Sequence, residues 1–180
     1  MEIKMITFEY NRSAAIAYAK RWALSRNPQY YDYSNVGGDC TSFISQCVYA
    51  GSGIMNYTKD FGWYYIDANN KSPSWTGVQY FYNFMTQNQG VGPFGEASAL
   101  EEIEVGDIIQ LGDRAGNYYH TLILTAIRED EMVKRYYICA HTIDSYQRNL
   151  STYDYYNIRC IHILGVRADI NPENNTENTN

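Results

Sequence analysis

Cys40, Phe43, Ile44, Cys47 and Val48 are apolar at i, i+3, i+4, i+7 and i+8, the repeat of one helix face. Gly37 and Gly38 precede this stretch and permit a turn that side chains would resist. Asp39 is placed to cap the helix through its carboxylate, and Gly51 is placed to end it as a C′ glycine. An earlier helix opens at Tyr10-Asn11-Arg12-Ser13, with Asn11 or Ser13 as N-cap. Its face is Ala15, Tyr18, Ala19 and Trp22, and Asn27-Pro28 ends it, because the residue before proline avoids helical angles. A third helix, capped by Ser74, carries the stripe Val78, Phe81, Tyr82 and Met85 and breaks at Gly90–Pro93.

From about residue 105 the pattern changes to strands. Val105–Leu111, His120–Ile127, Tyr136–His141 and Ile158–Val166 are short, apolar and β-branched. The charged segment from Arg128 to Arg135 joins the second and third as a hairpin. Between helices and strands lie a tyrosine-rich connector (Tyr30, Tyr31, Tyr33) and an aromatic-rich loop from Ser52 to Pro73. A loop of that length and composition is a binding-site wall or a lid. Helices first and an antiparallel sheet afterwards predict an α+β fold. Residues 1–170 form one domain, and the polar run 171–180 is a disordered tail or linker.

Composition narrows the function. The chain has 180 residues, is 45% hydrophobic and carries a formal charge of −6. That balance gives a globular domain and argues against nucleic acid as a partner, since phosphates need a basic footprint. No apolar run approaches the about 20 residues of a membrane span, and Met1–Met5 leads into no signal peptide, so synthesis in the cytoplasm is expected. The four cysteines have no CxxC spacing. Reduced thiols are the simpler expectation, with Cys47, Cys139 and Cys160 inert in the core.

Cys40 differs, because it opens a helix. Thiols there ionise more readily, and the thiolate is the nucleophile. A base within reach of the thiol, and a group to orient that base, would complete a cysteine hydrolase site. The chain has three histidines. His120 starts one strand and His141 ends the next, so antiparallel pairing sets them at the same end of the sheet. His120 is then the base and His141 its orienter, with Asp144 as alternative orienter or as the group holding His141. Oxyanion donors would be the Cys40 N–H with Tyr31 or Tyr33. His162, in mid-strand, is structural. A metal site of Cys40, His120 and His141 lacks the spacing of known zinc motifs, and no cofactor is expected.

At these residues the sequence resembles the bacterial "putative amidase domain" family, relatives of the NlpC/P60 and CHAP cysteine peptidases with a papain-like core. The matching stretches are Tyr10-Asn11-Arg12, Asn27-Pro28, Gly37-Gly38-Asp39-Cys40-Thr41 with Phe43 and Ser45-Gln46-Cys47, Gly106-Asp107, His120, and His141-Thr142 with Asp144 and Arg148. The block departs at Ser42, where family members often carry asparagine. The resemblance implies an NlpC/P60-type fold with Cys40 as nucleophile, His120 as base and His141 as third polar residue. It also implies amide hydrolysis through a thioester, with peptidoglycan as substrate, cut either at the N-acetylmuramoyl-L-alanine amide or within the stem peptide, as by an autolysin or phage endolysin; a separate wall-binding domain would offset the acidic surface at the cell wall. A transferase or transglutaminase-like enzyme passing the acyl group to an amine or lipid, or a binding module with a degenerate site, are the alternatives.

Overall fold

The computed structural model describes residues 4–170, so the polar run 171–180 lies outside the described residues. Strand β1 (Met5–Phe8) precedes helix α1 (Arg12–Trp22) and helix α2 (Cys40–Ser52); α3 (Pro73–Thr76) and α4 (Val78–Gln87) follow. Six strands come next: β2 (Gly92–Ser98), β3 (Ile108–Gly112), β4 (Tyr118–Asp130), β5 (Val133–Ala140), β6 (Ser145–Asn149) and β7 (Asn157–Asp169). All pairings are antiparallel, in the order β1-β7-β3-β4-β5-β6, with β2 also on β7. The predicted α+β class with its antiparallel sheet is observed.

Side-chain alternation along the strands divides the core in two. Ile108, Ile123, Cys139, Ile161 and Ile163 face the helices, against Phe43, Ile44, Cys47, Trp63, Trp75 and Phe81. Ile109, Leu111, Leu122, Leu124 and Ile138 face the other way, under Ile103 and Leu150. The residues from Cys40 to Val48 are all buried, so α2 is enclosed on every side and not on one face.

Several boundaries differ from the expected ones. Helix α1 stops at Trp22, where Asn11 is the N-cap through Ala14 N–H at 3.0 Å. Helix α2 runs past Gly51 to a left-handed Gly53, whose N–H bonds the Tyr49 carbonyl. Gly51 sits inside the helix because α1 crosses there: a side chain would meet the Tyr10 ring and the Asn11 carbonyl, the latter at 2.8 Å. The third helix is two helices, interrupted at the extended Gly77. Ser74 does not cap, since its hydroxyl bonds the Gly62 carbonyl. The Ser52–Pro73 loop is anchored rather than a free lid: Trp63 is fully buried, 5.0 Å from Trp75, and its indole N–H bonds Ser45. The β4–β5 hairpin turns more tightly than expected, at Glu131 and Met132, both with positive φ.

Candidate active site

Cys40 is the first residue of α2, nearly sealed at 7% exposure. The first helical hydrogen bond runs from Phe43 N–H to the Asp39 carbonyl at 2.9 Å. The N–H groups of Cys40, Thr41 and Ser42 therefore precede the ladder, and none has an acceptor among the described residues. A thiol with unsatisfied N–H groups around it, at the positive end of a buried helix, can receive a negative charge.

Asp39 does not cap this helix. Its side chain turns away into the protein, where Oδ1 accepts the Tyr33 N–H at 3.1 Å and Oδ2 lies 2.7 Å from His141 Nδ1. The other nitrogen of His141 meets the Trp22 carbonyl at 2.8 Å, and the ring stacks on Phe43 with centroids 3.8 Å apart. Both partners of His141 are acceptors, so the pattern is complete when both ring nitrogens carry hydrogen. Having no free nitrogen, His141 does not orient His120 here. It ties the end of β5 to the turn before Cys40.

The other supporting residues have separate tasks. Asp144 forms a bidentate pair with Arg26 at 2.9 and 3.0 Å and, among the described residues, hydrogen-bonds neither His120 nor His141. Arg26 also reaches Asp32 at 3.3 Å and Asp39 at 3.5 Å, so one guanidinium gathers the connector, the cysteine turn and the segment after β5. These carboxylates favour its charged form, and the Ser34 bonds with Arg26 hold the Asp32 carboxyl below its ordinary value. Tyr33 donates its hydroxyl to the Ala68 carbonyl, and Tyr31 is half exposed with its ring against Tyr33. The Tyr33 hydroxyl is thus engaged away from the thiol.

His120 lies one strand position from the cysteine helix. Its neighbour Thr121 touches Thr41, the neighbour of Cys40, with hydroxyl oxygens 2.9 Å apart. His120 itself pairs with Leu111 and shares the opposite face, its ring 5.8 Å from that of Tyr153. Burial, reinforced by the Arg148 guanidinium, pushes its pKa down to about 4, so it is neutral at pH 7 with one lone pair free. Among the described residues its ring nitrogens have no hydrogen-bond partner, and Cys40 Sγ has only the Thr41 hydroxyl, at 3.8 Å. The two residues thus lie on touching segments, with no hydrogen bond between them among the described residues.

His162 is structural as expected. Its Nδ1 lies 2.7 Å from the fully buried Asp107, which also accepts from Arg12 at 2.6 Å and from the N–H groups of Glu104 and Ile163. This latch explains why Tyr10-Asn11-Arg12 and Gly106-Asp107 occur together. Tyr10 approaches the Gly106 carbonyl at 3.4 Å, and a side chain on Gly106 would press on Arg12. Cys47, Cys139 and Cys160 are free and buried, with burial raising each thiol's pKa, that of Cys160 to about 12.

Away from the thiol, the exposed stripe of α4 and the loop before Trp63 enclose a groove of about 460 Å³, with Phe61, Tyr80, Asn83, Gln87 and Gln89 on its walls. Sequence periodicity did not find it, because Tyr80, Asn83 and Gln87 are simply the polar side of an amphipathic helix. Gln110 and Thr121 were missed for a related reason. Each is a lone polar residue inside an apolar strand, and that interruption was the available signal.

Residues 9–164 match the family described as "Putative amidase domain", and the chain belongs to that family. The description points to amide hydrolysis as its chemistry. The chain is also 31% identical over 152 residues to "Uncharacterized protein YhbB" of Bacillus subtilis (strain 168), a match covering 82% of this chain and 46% of that protein. The chain thus spans about half the length of the curated relative it matches. No solved structure matches.

Proposed function

We propose that this domain is a cysteine amidase acting on bacterial peptidoglycan, with Cys40 as nucleophile and His120 as base. The observation that carries the reading is the Cys40 thiol on the first turn of a buried helix whose leading N–H groups are unbonded. A tetrahedral intermediate formed there would have its oxyanion received by the Cys40 N–H and the adjoining N–H groups. In this scheme His120 takes the thiol proton as sulfur attacks the amide carbon, then returns it to the departing amine. It next deprotonates a water that cleaves the thioester and restores the thiol. A neutral imidazole is the form this cycle needs at its start, and burial keeps His120 neutral.

His120 must first leave Tyr153 for the thiol. A β-bulge lies between Leu111 and Gly112, opposite His120 and Tyr118, and bulges beside active sites re-aim side chains. Catalytic hydrogen bonds are often open before substrate arrives. The papain-like assignment belongs to the same proposal: it draws on a nucleophile at the N-terminus of a buried helix packed on an antiparallel sheet.

Peptidoglycan as substrate draws support from the groove along α4, whose carboxamides and aromatic rings suit sugars and stem-peptide amides. The formal charge of −6 opposes unaided binding to anionic walls, so a separate wall-binding domain is part of the proposal. The gap between Cys40 and His120 favours one competing reading, a binding module that uses the groove alone. Incubating the domain with purified sacculi separates the two. A fall in turbidity, abolished by Cys40→Ala, supports the amidase; binding without any released amine supports the module.

A further inference from the structure

The cysteine turn is joined to the Arg159 cation by a continuous chain of side-chain hydrogen bonds. Arg159 stands on β7 with its guanidinium between the rings of Tyr82 and Tyr118, 3.7 and 3.9 Å from their centroids. Its Nε donates to Gln110 Oε1 at 2.7 Å. Since an arginine can only donate, this bond fixes the orientation of the Gln110 amide. Gln110 Nε2 donates to the Val78 carbonyl at 2.9 Å, which agrees with that orientation, and to Thr121 Oγ1 at 3.3 Å. Thr121 Oγ1 lies 2.9 Å from Thr41 Oγ1, and with Gln110 on one of its acceptor sites its own hydroxyl hydrogen is available to Thr41, although either hydroxyl is able to donate in this pair. When Thr121 donates to Thr41, the hydrogen of Thr41 is free for the Cys40 sulfur, 3.8 Å away.

We infer that Arg159, Gln110, Thr121 and Thr41 form a directed relay that presents a hydroxyl hydrogen to Cys40 and stabilises its thiolate. The inference rests on the reading of Cys40 as a nucleophile. These four are positioning residues, since only Thr41 reaches the sulfur. Gln110, Thr121 and Thr41 are sealed from water, where hydrogen bonds polarise one another and a charge at one end is felt at the other. The relay also accounts for polar residues in otherwise apolar strands, where each would be costly unless fully partnered. The other ionisable groups around the turn are Asp39, bound to His141 and Arg26, then Asp32 and Asp144, both paired with Arg26, and His120, against Tyr153.

The test is the rate of iodoacetamide alkylation at Cys40, followed by peptide mass mapping across pH in the full chain. Thr41→Val and Gln110→Glu should slow alkylation at pH 7 about tenfold and move its midpoint up by about one pH unit, the size of one hydrogen bond to a charged group. The Gln110→Glu carboxylate still accepts from Arg159 but has no hydrogen to give Thr121. Thr41→Ser, which keeps the hydroxyl, should match the wild type. Arg159→Met lies nearer the surface; it tests the relay if the core variants unfold, with about a threefold slowing expected. Wild-type pH profiles in folded Thr41→Val and Gln110→Glu, or in Arg159→Met if those unfold, overturn the relay. Amidase activity surviving Cys40→Ala would instead overturn the nucleophile assignment, and alkylation would still report on the relay.

Discussion

Asp39 and His141, 102 residues apart in sequence, meet through a 2.7 Å hydrogen bond that is sealed from solvent and lies one residue from the candidate nucleophile. This bond fixes the turn that aims Cys40. It also takes a nitrogen that a catalytic orienter would have offered to His120.

Breaking a buried, hydrogen-bonded pair leaves the partner uncompensated. Asp39→Ala and His141→Ala should therefore each destabilise the domain by about 3 kcal/mol, and the double variant by clearly less than the sum. Urea unfolding of the three variants checks this. Additive losses would mean that the two side chains contribute independently.

His120 makes stability depend on pH. Its folded pKa, about 4, lies below the unfolded value near 6.5, so the unfolded chain binds the extra proton. Its contribution is fully present above about pH 6.5 and is lost as pH falls towards about 4, an effect on the order of 3 kcal/mol. His120→Gln should flatten thermal stability across that window. An unchanged slope in this variant would assign the acid sensitivity to other groups.

Along α4 the exposed rings do most of the proposed recognition. Phe61→Ala with Tyr80→Ala should weaken cosedimentation with sacculi about tenfold or more, since a stacked ring is worth about 0.5–1.5 kcal/mol beyond its buried area. Both rings are exposed, at 85% and 61%, so the melting temperature should hardly move. Wild-type binding in the double variant would remove the groove from the account.

Much of this arrangement was legible in the sequence. The α2 stripe, the strand run after residue 105 and the Arg128–Arg135 hairpin follow from local periodicity, and that is why they could be read. Strand β2 escaped because Gly-Pro-Phe-Gly-Glu-Ala-Ser has neither alternation nor β-branched residues; its long partner β7 makes it a strand. Strand β6, Ser-Tyr-Gln-Arg-Asn, is a polar sheet edge for the same reason. At the site, hairpin topology correctly set the two histidine-bearing strand ends side by side, but topology does not say which face a side chain takes. Thr121 faces the cysteine helix, and its neighbour His120 therefore faces away. Asp39 looked like a cap because local spacing cannot reveal a partner 102 residues further on.

The most direct measurement is the appearance of a new amine when muropeptides are incubated with the domain, resolved by mass spectrometry after N-terminal labelling. Wild type should release one defined terminus, L-alanine for a muramoyl amidase or another residue for a stem-peptide endopeptidase. Cys40→Ala should lower that release about a thousandfold or more while keeping the wild-type fold. Release at the wild-type rate from Cys40→Ala would contradict cysteine catalysis at the tip of α2.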